Sequence, residues 1–264
     1  MATGVWQPPQ AMDREAVTGA AGDDLEFALR LADLADEISM ARFEARDLLI
    51  ETKPDASLVT DADRAIEREL GRVIRAQRPG EGVVGEELGD ASAGAGRWII
   101  DPIDGTSNYA RGVPVWGTLI AFERGGVGVL GVASAPAMGR RWWALRGTGA
   151  FADGRPVRVS EVRSLGQASA TVKDEEDRAP VARAVREIQA HRGFVQHVHV
   201  AEGSLDVAID GPVPLWDFAA SRIIVEVAGG RATTRDGGAP RAGEQLVTSN
   251  GLLHEAVLGV LHKS

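Results

Sequence analysis

The chain has 264 residues and a hydrophobic content of 44%, enough for one large domain or two lobes of roughly 100–150 residues. Its formal net charge of −9 argues against a nucleic-acid-binding surface, but not against an anionic substrate, because bound cations can reverse the local charge. The lack of cysteine excludes disulfides and thiolate sites. No apolar run of about 18 residues and no signal-like N terminus are found, so we expect a soluble, cytoplasmic protein.

The N-terminal part of the sequence predicts an extension followed by two helices. The start of the chain contains no apolar h-region behind a basic segment, and residues 1–23 are expected to form a flexible extension. Apolar residues recur every three or four positions from 24 to about 46, which predicts an amphipathic helix, and a proline-containing loop follows at 52–55. A second helix begins at Thr60, where Asp63 either caps the helix or belongs to a functional site.

Two predicted strands end on acidic residues. Gly82–Gly85 is a short apolar segment followed by Glu86 and Glu87, and Trp98–Ile100 is a second one followed by Asp101. Adjacent acids at a strand end are common in solvated turns. A hairpin-like return of the chain would instead place Glu86 beside Asp101.

The segment Trp98–Asn108 carries the strongest functional signal. Its strand is expected to stop at Asp101 before Pro102, and a second carboxylate, Asp104, follows three residues later. Two carboxylates this close repel each other unless a cation lies between them, and hard divalent ions prefer such oxygen ligands. Gly105 allows a sharp turn, after which backbone amides can face an anion. The sequence predicts a metal- and phosphate-binding corner here, with two consecutive loop turns as the alternative.

The following segments predict an antiparallel sheet. Turn signals at Gly125-Gly126 and Asp153-Gly154 separate short stretches rich in β-branched and aromatic residues. The predicted strands are 113–122, 127–133, 142–145, 150–151 and 157–159. Their tryptophans are expected to pack in the core.

A lobe boundary is predicted at 164–169. It divides the chain into an N-terminal α+β lobe, 24–163, which carries the metal and phosphate loop, and a C-terminal α/β lobe, 164–264, which completes the site. Beyond the boundary, the charged run 173–178 predicts a solvated loop and 181–190 a helix.

Three histidines cluster in the C-terminal half. His191, His197 and His199 lie in or beside the segment 194–200, whose pattern fits both a strand and a helix. Their spacing lacks the H-x-x-x-H step of many metal ligands and no cysteine accompanies them. Packing is therefore favoured over a metal site.

The last part of the chain alternates strands and helices. A strand at 205–209 is expected to end at Gly211-Pro212, and a helix to 228 has Asp217 near its start, either as a cap or as a site residue. The remaining predicted elements are two strands and a helix: 231–234, 245–248 and 252–261. The alternation implies a mixed α/β architecture in layers.

Five blocks stand in the same order as in a known family: Val59–Asp63, Gly85–Glu87, Trp98–Asn108, Trp216–Ala220 and Ala228–Gly230. They resemble the inositol monophosphatase superfamily of lithium-sensitive, magnesium-dependent phosphomonoesterases. Further segments resemble the bacterial histidinol-phosphate phosphatases of that superfamily: Thr52–Asp55, Arg111–Trp116, Ser134–Pro136, Arg140–Trp143 and Ser249–His254. The resemblance implies an α/β fold in which helical layers alternate with mixed sheets, the αβαβα arrangement of sugar phosphatases.

The resemblance also implies roles for individual residues. Two or three Mg²⁺ ions would be held by Glu86, Asp101, Asp104, Asp217 and the Ile103 carbonyl. Asp63 and Thr106 would orient and deprotonate the attacking water, with Lys53 on a mobile loop over the site. Glu87 would support the ligands. The substrate and its phosphate would be contacted by Gly105, Thr106, Ser107, Arg192, Gly193, Asp210 and Asp217.

The specificity segment departs from the pattern of the resembled branch. A Gly-Asp-Phe triplet would offer an acid to a substrate amine, but the corresponding residues here are Arg192-Gly193-Phe194. Asp210, just beyond the predicted strand, stands where a polyol-contacting glutamate is expected and would substitute for the missing acid. Ser107 replaces a frequent lysine.

The resemblance implies that metal-activated water hydrolyses a small phosphorylated metabolite, with histidinol phosphate as the leading substrate. An inositol or aminocyclitol monophosphate is the alternative. A non-enzyme alternative, an inactive phosphometabolite-binding relic, predicts a lost ligand or a lost water-activating residue, and neither is lost. A Rossmann-type nucleotide site is disfavoured because no G-x-G-x-x-G follows a strand. The family likeness further implies a homodimer without nucleic-acid or membrane partners.

Overall fold

The computed structural model describes residues 20–87, 89–91, 94 and 96–263. Most of the predicted N-terminal extension, residues 1–19, lies outside the described residues. Residues 20–23 form the start of the first helix, so this helix begins four residues earlier than the sequence predicts and ends at Arg42. No described helix has both the length and the apolar character needed to span a membrane.

The described residues form seven α-helices and fifteen strands. The helices are α1 (Ala20–Arg42), α2 (Asp61–Gln77), α3 (Thr106–Tyr109), α4 (Glu175–Ala184), α5 (Phe194–Ala201), α6 (Leu215–Val227) and α7 (His254–Leu261). The strands are β1 (Ile50–Thr52), β2 (Leu58–Thr60), β3 (Gly82–Gly85), β4 (Gly89–Ala91), β5 (Gly96–Asp104), β6 (Gly117–Arg124), β7 (Val127–Ala135), β8 (Arg140–Leu145), β9 (Gly149–Ala152), β10 (Arg155–Val157), β11 (Ser169–Val172), β12 (Glu187–Ile188), β13 (Val207–Val213), β14 (Arg231–Thr234) and β15 (Glu244–Ser249).

The strands build two large sheets and one small hairpin, β1–β2. The first large sheet has eight strands in the order β10-β9-β8-β7-β6-β5-β3-β4, and the second has five in the order β12-β11-β13-β15-β14. Neighbours in the first sheet are antiparallel except β3 and β5, which are parallel. In the second sheet β11 is parallel to both β12 and β13.

Strand periodicity sorts the side chains into separate cores. In β5, Trp98 and Ile100 pack with α1 and α2, whereas Ile99 packs on the other face with α5 and α6. In β13, Ala208 joins the α5–α6 core, and its two neighbours face α4 and α7. The order of layers is therefore helices, eight-stranded sheet, helices, five-stranded sheet, helices. This arrangement confirms the predicted layered α/β fold.

The two-lobe division stays a prediction. The predicted boundary at 164–169 lies between the last strand of the first sheet and the first strand of the second. The core around α5 and α6, however, contains residues from both sides of this boundary, such as Trp142 and Ala208.

Three local predictions are wrong. The charged run does not form a loop, because α4 begins within it at Glu175, and Asp177 is fully buried in an ion pair with Arg235. The helix ends at Ala184, and Glu187–Ile188 forms an edge strand. The strand predicted to stop at Gly211-Pro212 continues to Val213, since a shift of register after Ile209 accommodates the proline.

Candidate active site

Two parallel strands bring the first acidic residues to one edge of the eight-stranded sheet. Gly85 of β3 pairs with Ile100 of β5, so Glu86, directly after β3, lies level with Asp101 of β5. The predicted hairpin-like return is wrong, because β4 forms the antiparallel pair with β3 and β5 runs parallel to it. The parallel arrangement achieves the predicted proximity, since the carboxyl ends of parallel strands meet at one edge.

An irregularity in β5 places Asp101 and Asp104 together. The strand was predicted to stop at Asp101, but it continues to Asp104 with a register shift between these two residues against β6. In a regular strand, residues three positions apart point to opposite faces of the sheet. The irregularity cancels this alternation, so both carboxylates face the same site.

Helix α6 contributes the third carboxylate. Oxygens of Asp101, Asp104 and Asp217 lie within 4.8 Å of one another, and within the described parts of the chain these three form a group able to hold a metal ion. Asp217 is not the N-cap of α6, since Pro214 holds that position and Asp217 lies in the first helical turn. The interpretation of Asp217 as a helix cap is therefore wrong.

Burial and mutual repulsion disfavour the ionised forms of these three aspartates. Burial, followed by the charges of Asp217 and Asp104, raises the pKa of Asp101 well above its usual value. Burial also raises the pKa of Asp104 to about 6 and that of Asp217 to about 8, and the charge of Glu86 acts in the same direction on both. These carboxyls hold their protons at a pH where ordinary aspartates have lost them.

The donor set fits a hard divalent cation. Asp101 Oδ1 is buried, and no hydrogen-bond partner is found for it among the described residues. All the side-chain atoms available as metal ligands are carboxylate oxygens. Such oxygens suit Mg²⁺ better than the nitrogen and sulfur ligands typical of Zn²⁺ do. A cation between Asp101, Asp104 and Asp217 would give the buried oxygen a partner and reduce the repulsion among the three.

Glu86, Asp101, Asp104 and Asp217 together form what we call the acidic corner. Asp63 serves both as a helix cap and as a neighbour of this corner. Its Oδ2 accepts hydrogen bonds from the Thr60 amide at 2.8 Å and the Thr60 hydroxyl at 2.6 Å, which completes a capping box at the start of α2. Its Oδ1 accepts a 3.3 Å hydrogen bond from the Thr106 hydroxyl, which also lies 2.9 Å from the Ile103 carbonyl oxygen. Burial raises the pKa of Asp63 to about 6. The two interpretations of Asp63 from sequence are therefore compatible.

The turn after Asp104 requires a glycine. Gly105 has a φ of +87°, and a Cβ atom there would lie 3.1 Å from the Val115 carbonyl oxygen. The short helix α3 begins directly afterwards at Thr106. Ser107, one residue further, is exposed to solvent.

Lys53 connects the β1–β2 hairpin to the acidic corner. Its ammonium lies 2.7 Å from Glu86 Oε1 and also forms an ion pair with Glu87. Burial alone would lower the pKa of Lys53, but its hydrogen bonds to these two carboxylates raise it above its usual value. The hairpin turn therefore carries a permanent positive charge next to a predicted metal ligand.

The predicted specificity segment meets the site through its backbone. The Phe194 amide at the start of α5 donates a 2.9 Å hydrogen bond to Asp104 Oδ2. Gly193 has a φ of +65°, and a Cβ there would lie 2.5 Å from the same oxygen. The glycine permits this close approach, whereas the Arg192 residue is exposed.

Asp210 lies within β13, not beyond it as predicted, and is held by residues that the sequence reasoning did not connect with it. Lys173 Nζ lies 3.0 Å and Gln196 Nε2 2.8 Å from its carboxylate, and His197 Nε2 lies 3.6 Å away. Burial alone would raise the pKa of Asp210, but His197 and Lys173 lower it to about 2. The only available signal was the Gln-His pair on the inner face of α5.

The other two histidines of the cluster, His191 and His199, contact each other edge to face with ring centroids 4.7 Å apart. The segment that contains His197 and His199 is helical, which resolves its ambiguous pattern. Gly193, which precedes the helix, has φ 65° and ψ −156°.

Comparison with known proteins agrees with the fold. Residues 23–264 match the inositol monophosphatase family. A histidinol-phosphatase of Mycobacterium tuberculosis is 49% identical over 89% of this chain and 96% of its own length. A histidinol-phosphatase of Streptomyces coelicolor is 43% identical over 91% of this chain and 97% of its own. The solved IMPase structure of Thermotoga maritima is 32% identical, with a TM-score of 0.83 over 91% of this chain and 97% of that one.

The layered fold and the acidic corner define a phosphoric monoester hydrolase of the metal-dependent class. The chain belongs to the inositol monophosphatase family. The resemblance, the fold and the enzyme class predicted from the sequence are thereby confirmed. The roles of individual site residues, the number of metal ions and the division into lobes stay predictions.

Proposed function

We propose that the protein hydrolyses the phosphate monoester of a small metabolite in a Mg²⁺-dependent reaction. The observation that carries this proposal is the convergence of Asp101, Asp104 and Asp217 beside the Asp63–Thr106 pair. Two elements distant in sequence, β5 and α6, supply these three carboxylates, and burial together with mutual repulsion keeps their pKa values raised. Such an arrangement destabilises the metal-free protein and is useful only when a cation binds.

Glu86, Asp101, Asp104, Asp217 and the Ile103 carbonyl would hold two or three Mg²⁺ ions. When bound, Mg²⁺ supplies charge neutralisation for the phosphoryl group and lowers the pKa of water. The Lys53 ammonium lies 2.7 Å from Glu86 Oε1 and also pairs with Glu87. This contact would hold Glu86 beside the other proposed ligands.

Asp63 and Thr106 would deprotonate and orient the attacking water. The Thr106 hydroxyl donates to Asp63 or to the Ile103 carbonyl, so its oxygen keeps lone pairs for a water proton. Asp63 is poised to accept a proton near neutral pH because burial raises its pKa to about 6. The backbone amides of Gly105 and Thr106, with Ser107 at the rim, would bind the phosphate.

We propose histidinol phosphate as the substrate and histidinol as the product. Two relatives named histidinol-phosphatase, each covering about nine tenths of this chain, support this choice. Arg192, Gly193 and Asp210 would line the end of the site that receives the non-phosphorylated part of the substrate. Asp210 would provide the negative charge for a substrate ammonium.

One observation favours an inositol or aminocyclitol monophosphate as a second candidate. The acid that would meet an amine is replaced by Gly193, and Asp210 is already neutralised by Lys173. A carboxylate with its charge compensated accepts hydrogen bonds from hydroxyl groups without needing a cationic substrate. The resulting surface suits a polyol as well as an amine.

A panel of phosphate esters tests both proposals. Phosphate release is measured with and without Mg²⁺ from histidinol phosphate, myo-inositol monophosphates, an aminocyclitol phosphate and p-nitrophenyl phosphate. We expect Mg²⁺-dependent release, with the largest kcat/KM for histidinol phosphate. A preference for the cyclitol esters would overturn the substrate, and no release from any ester with Mg²⁺ would overturn the function.

We further propose that the protein acts in the cytoplasm as a homodimer without nucleic-acid or membrane partners. Its two lobes, 24–163 and 164–264, would meet at the active site. Family likeness supports the dimer, and the lack of cysteine agrees with a reducing compartment. Sedimentation at micromolar protein concentration measures the oligomeric state directly.

A further inference from the structure

Glu67 on α2 is a buried carboxylate that contacts the turn beside the acidic corner. Glu67 is completely buried, and both of its carboxylate oxygens accept the backbone N–H of Glu87, at distances of 3.0 and 2.8 Å. A buried glutamate is rare unless its charge is compensated or used. Here the carboxylate accepts hydrogen bonds from the turn that follows β3. This turn contains Glu86, a predicted metal ligand.

Gly85 makes room for this contact. A Cβ atom built on Gly85 would overlap Glu67 Oε1, and its three nearest neighbours all belong to the Glu67 side chain. The φ angle of Gly85 lies outside the left-handed region, so its backbone conformation is open to any residue. Glycine is therefore needed at this position for space rather than for conformation.

Helix α2 links this contact to the catalytic pair. Glu67 lies four residues after Asp63, one helical turn away on the same face. The same rigid helix therefore presents Asp63 to Thr106 and Glu67 to the Glu86–Glu87 turn. Lys53 forms ion pairs with both side chains of that turn.

We propose that Glu67 is a positioning residue for the metal site, which fixes the Glu86–Glu87 turn through the Glu87 amide. The inference rests on the proposed role of Glu86 as a Mg²⁺ ligand. Without Glu67 the turn keeps Lys53 as a partner, but the amide between the two acids loses its acceptor. Glu86 then samples several orientations, and Mg²⁺ binding has to select one of them.

The first test measures Mg²⁺ binding to the substrate-free protein by titration calorimetry. We expect Glu67→Ala to weaken Mg²⁺ binding by about 10- to 100-fold, the range found when a partner of a metal ligand is removed. Glu67→Gln keeps the volume and one acceptor oxygen, so its loss should be smaller. In activity assays the Mg²⁺ concentration for half-maximal rate should rise, whereas kcat at saturating Mg²⁺ should change less than threefold.

Two further variants separate positioning from general damage to the fold. Glu69→Ala, on the same helix, removes a half-buried glutamate that pairs with Arg72 and serves as the matched control. Gly85→Ala should weaken Mg²⁺ binding about tenfold in the wild-type background because it displaces Glu67. In the Glu67→Ala background the added methyl group meets no carboxylate, and the same change should have less than a twofold effect.

The outcomes distinguish this inference from the proposed function. Folded Glu67→Ala protein that binds Mg²⁺ like the wild type would overturn the positioning role, as would equal effects of Gly85→Ala in both backgrounds. If Glu67→Ala does not fold, Glu67→Gln and Gly85→Ala decide by the same measure. Wild-type protein that binds no Mg²⁺ would instead overturn the proposed metal site.

Discussion

Two groups of buried carboxylates in this protein behave in opposite ways. In the acidic cluster, burial and mutual repulsion raise the pKa of Asp217 to about 8 and keep that of Asp101 well above its usual value. At Asp210, burial acts in the same direction, but contacts with His197 and Lys173 lower the pKa to about 2. The difference lies in the cations that the protein itself supplies.

This contrast shows which of these carboxylates are arranged to receive a metal ion. Asp210 is satisfied by Lys173, Gln196 and the Gly211 amide, so its charge is part of the folded structure. The acidic cluster lacks such partners for Asp101 Oδ1 among the described residues. Asp210 and its partners stabilise the fold. The cluster of Asp101, Asp104 and Asp217 lowers the stability of the metal-free protein but allows it to bind a cation.

Asp101→Asn tests the contrast most severely. We expect a loss of kcat/KM of more than about 10³-fold, because a charged ligand is removed while the volume is kept. In EDTA at pH 8 the same change should increase the free energy of unfolding by about 1–3 kcal/mol, since it relieves buried repulsion. Phosphate release and urea unfolding measure the two effects.

The control for this variant is Asp47→Asn, which alters an exposed ion pair with Arg42 and should change neither quantity. Retained activity in Asp101→Asn would count heavily against the proposed metal site. A decrease in metal-free stability would show that Asp101, like Asp210, is compensated within the protein.

Thr106→Val should have the next largest effect. Valine has the shape of threonine but lacks the hydroxyl that contacts Asp63 and the Ile103 carbonyl. We expect kcat to fall by about 10²- to 10⁴-fold, the contribution of a positioned acid–base group. Mg²⁺ affinity should change little, and Thr148→Val in a turn between β8 and β9 is the control. Unchanged kcat would remove Thr106 from the water-activating pair.

The contrast also explains how far the sequence could be interpreted. The proposed ligands Glu86, Asp101 and Asp104 end or interrupt apolar strands, and this signal is local. The partners of Asp210 are not local, because Lys173 precedes it by 37 residues and only the pairing of β11 with β13 brings them together. No pattern within either segment predicts this contact.

The same limit applies to the helices. The charged run at the start of α4 resembles a solvated loop because Arg235, the partner of its Asp177, lies 58 residues away. Glu67 is a different case, since it is an acid within the apolar stripe of α2, between Ile66 and Leu70. A polar residue on a buried face is a signal within the sequence, and it marks the side of α2 that contacts Glu87 and Thr106.

The pH dependence of Mg²⁺ binding sharpens the comparison further. Asp104 and Asp217, with pKa values of about 6 and about 8, must release protons when a cation binds. Mg²⁺ affinity should therefore rise between pH 6 and 8, by up to about tenfold per pH unit for each proton released. Calorimetry in buffers of different ionisation enthalpy counts these protons.

Metal-free stability should show the corresponding trend with the opposite sign. A carboxyl whose folded-state pKa is raised stabilises the fold below its unfolded-state pKa, and this contribution is lost as the pH rises through about 6 for Asp104 and about 8 for Asp217. The Tm in EDTA should fall over this range, and Mg²⁺ should reduce the fall. A Tm in EDTA that stays constant from pH 5.5 to 8.5 would contradict the raised pKa values.

Asp210→Asn should give the smallest effect and the opposite sign from Asp101→Asn in metal-free protein. Removing the charge leaves Lys173 without its ion-pair partner, and because nearly half of the Lys173 side chain is exposed the expected loss is only about 1–2 kcal/mol of unfolding free energy. Lys173→Met in both backgrounds measures the coupling between the two side chains by urea unfolding in EDTA. Since Asp210 and Asp101 have the same side chain and similar burial, opposite signs for the two asparagine variants can arise only from their surroundings. If both variants stabilise the protein, Asp210 belongs to the repulsive cluster, and the distinction between the two groups of carboxylates fails.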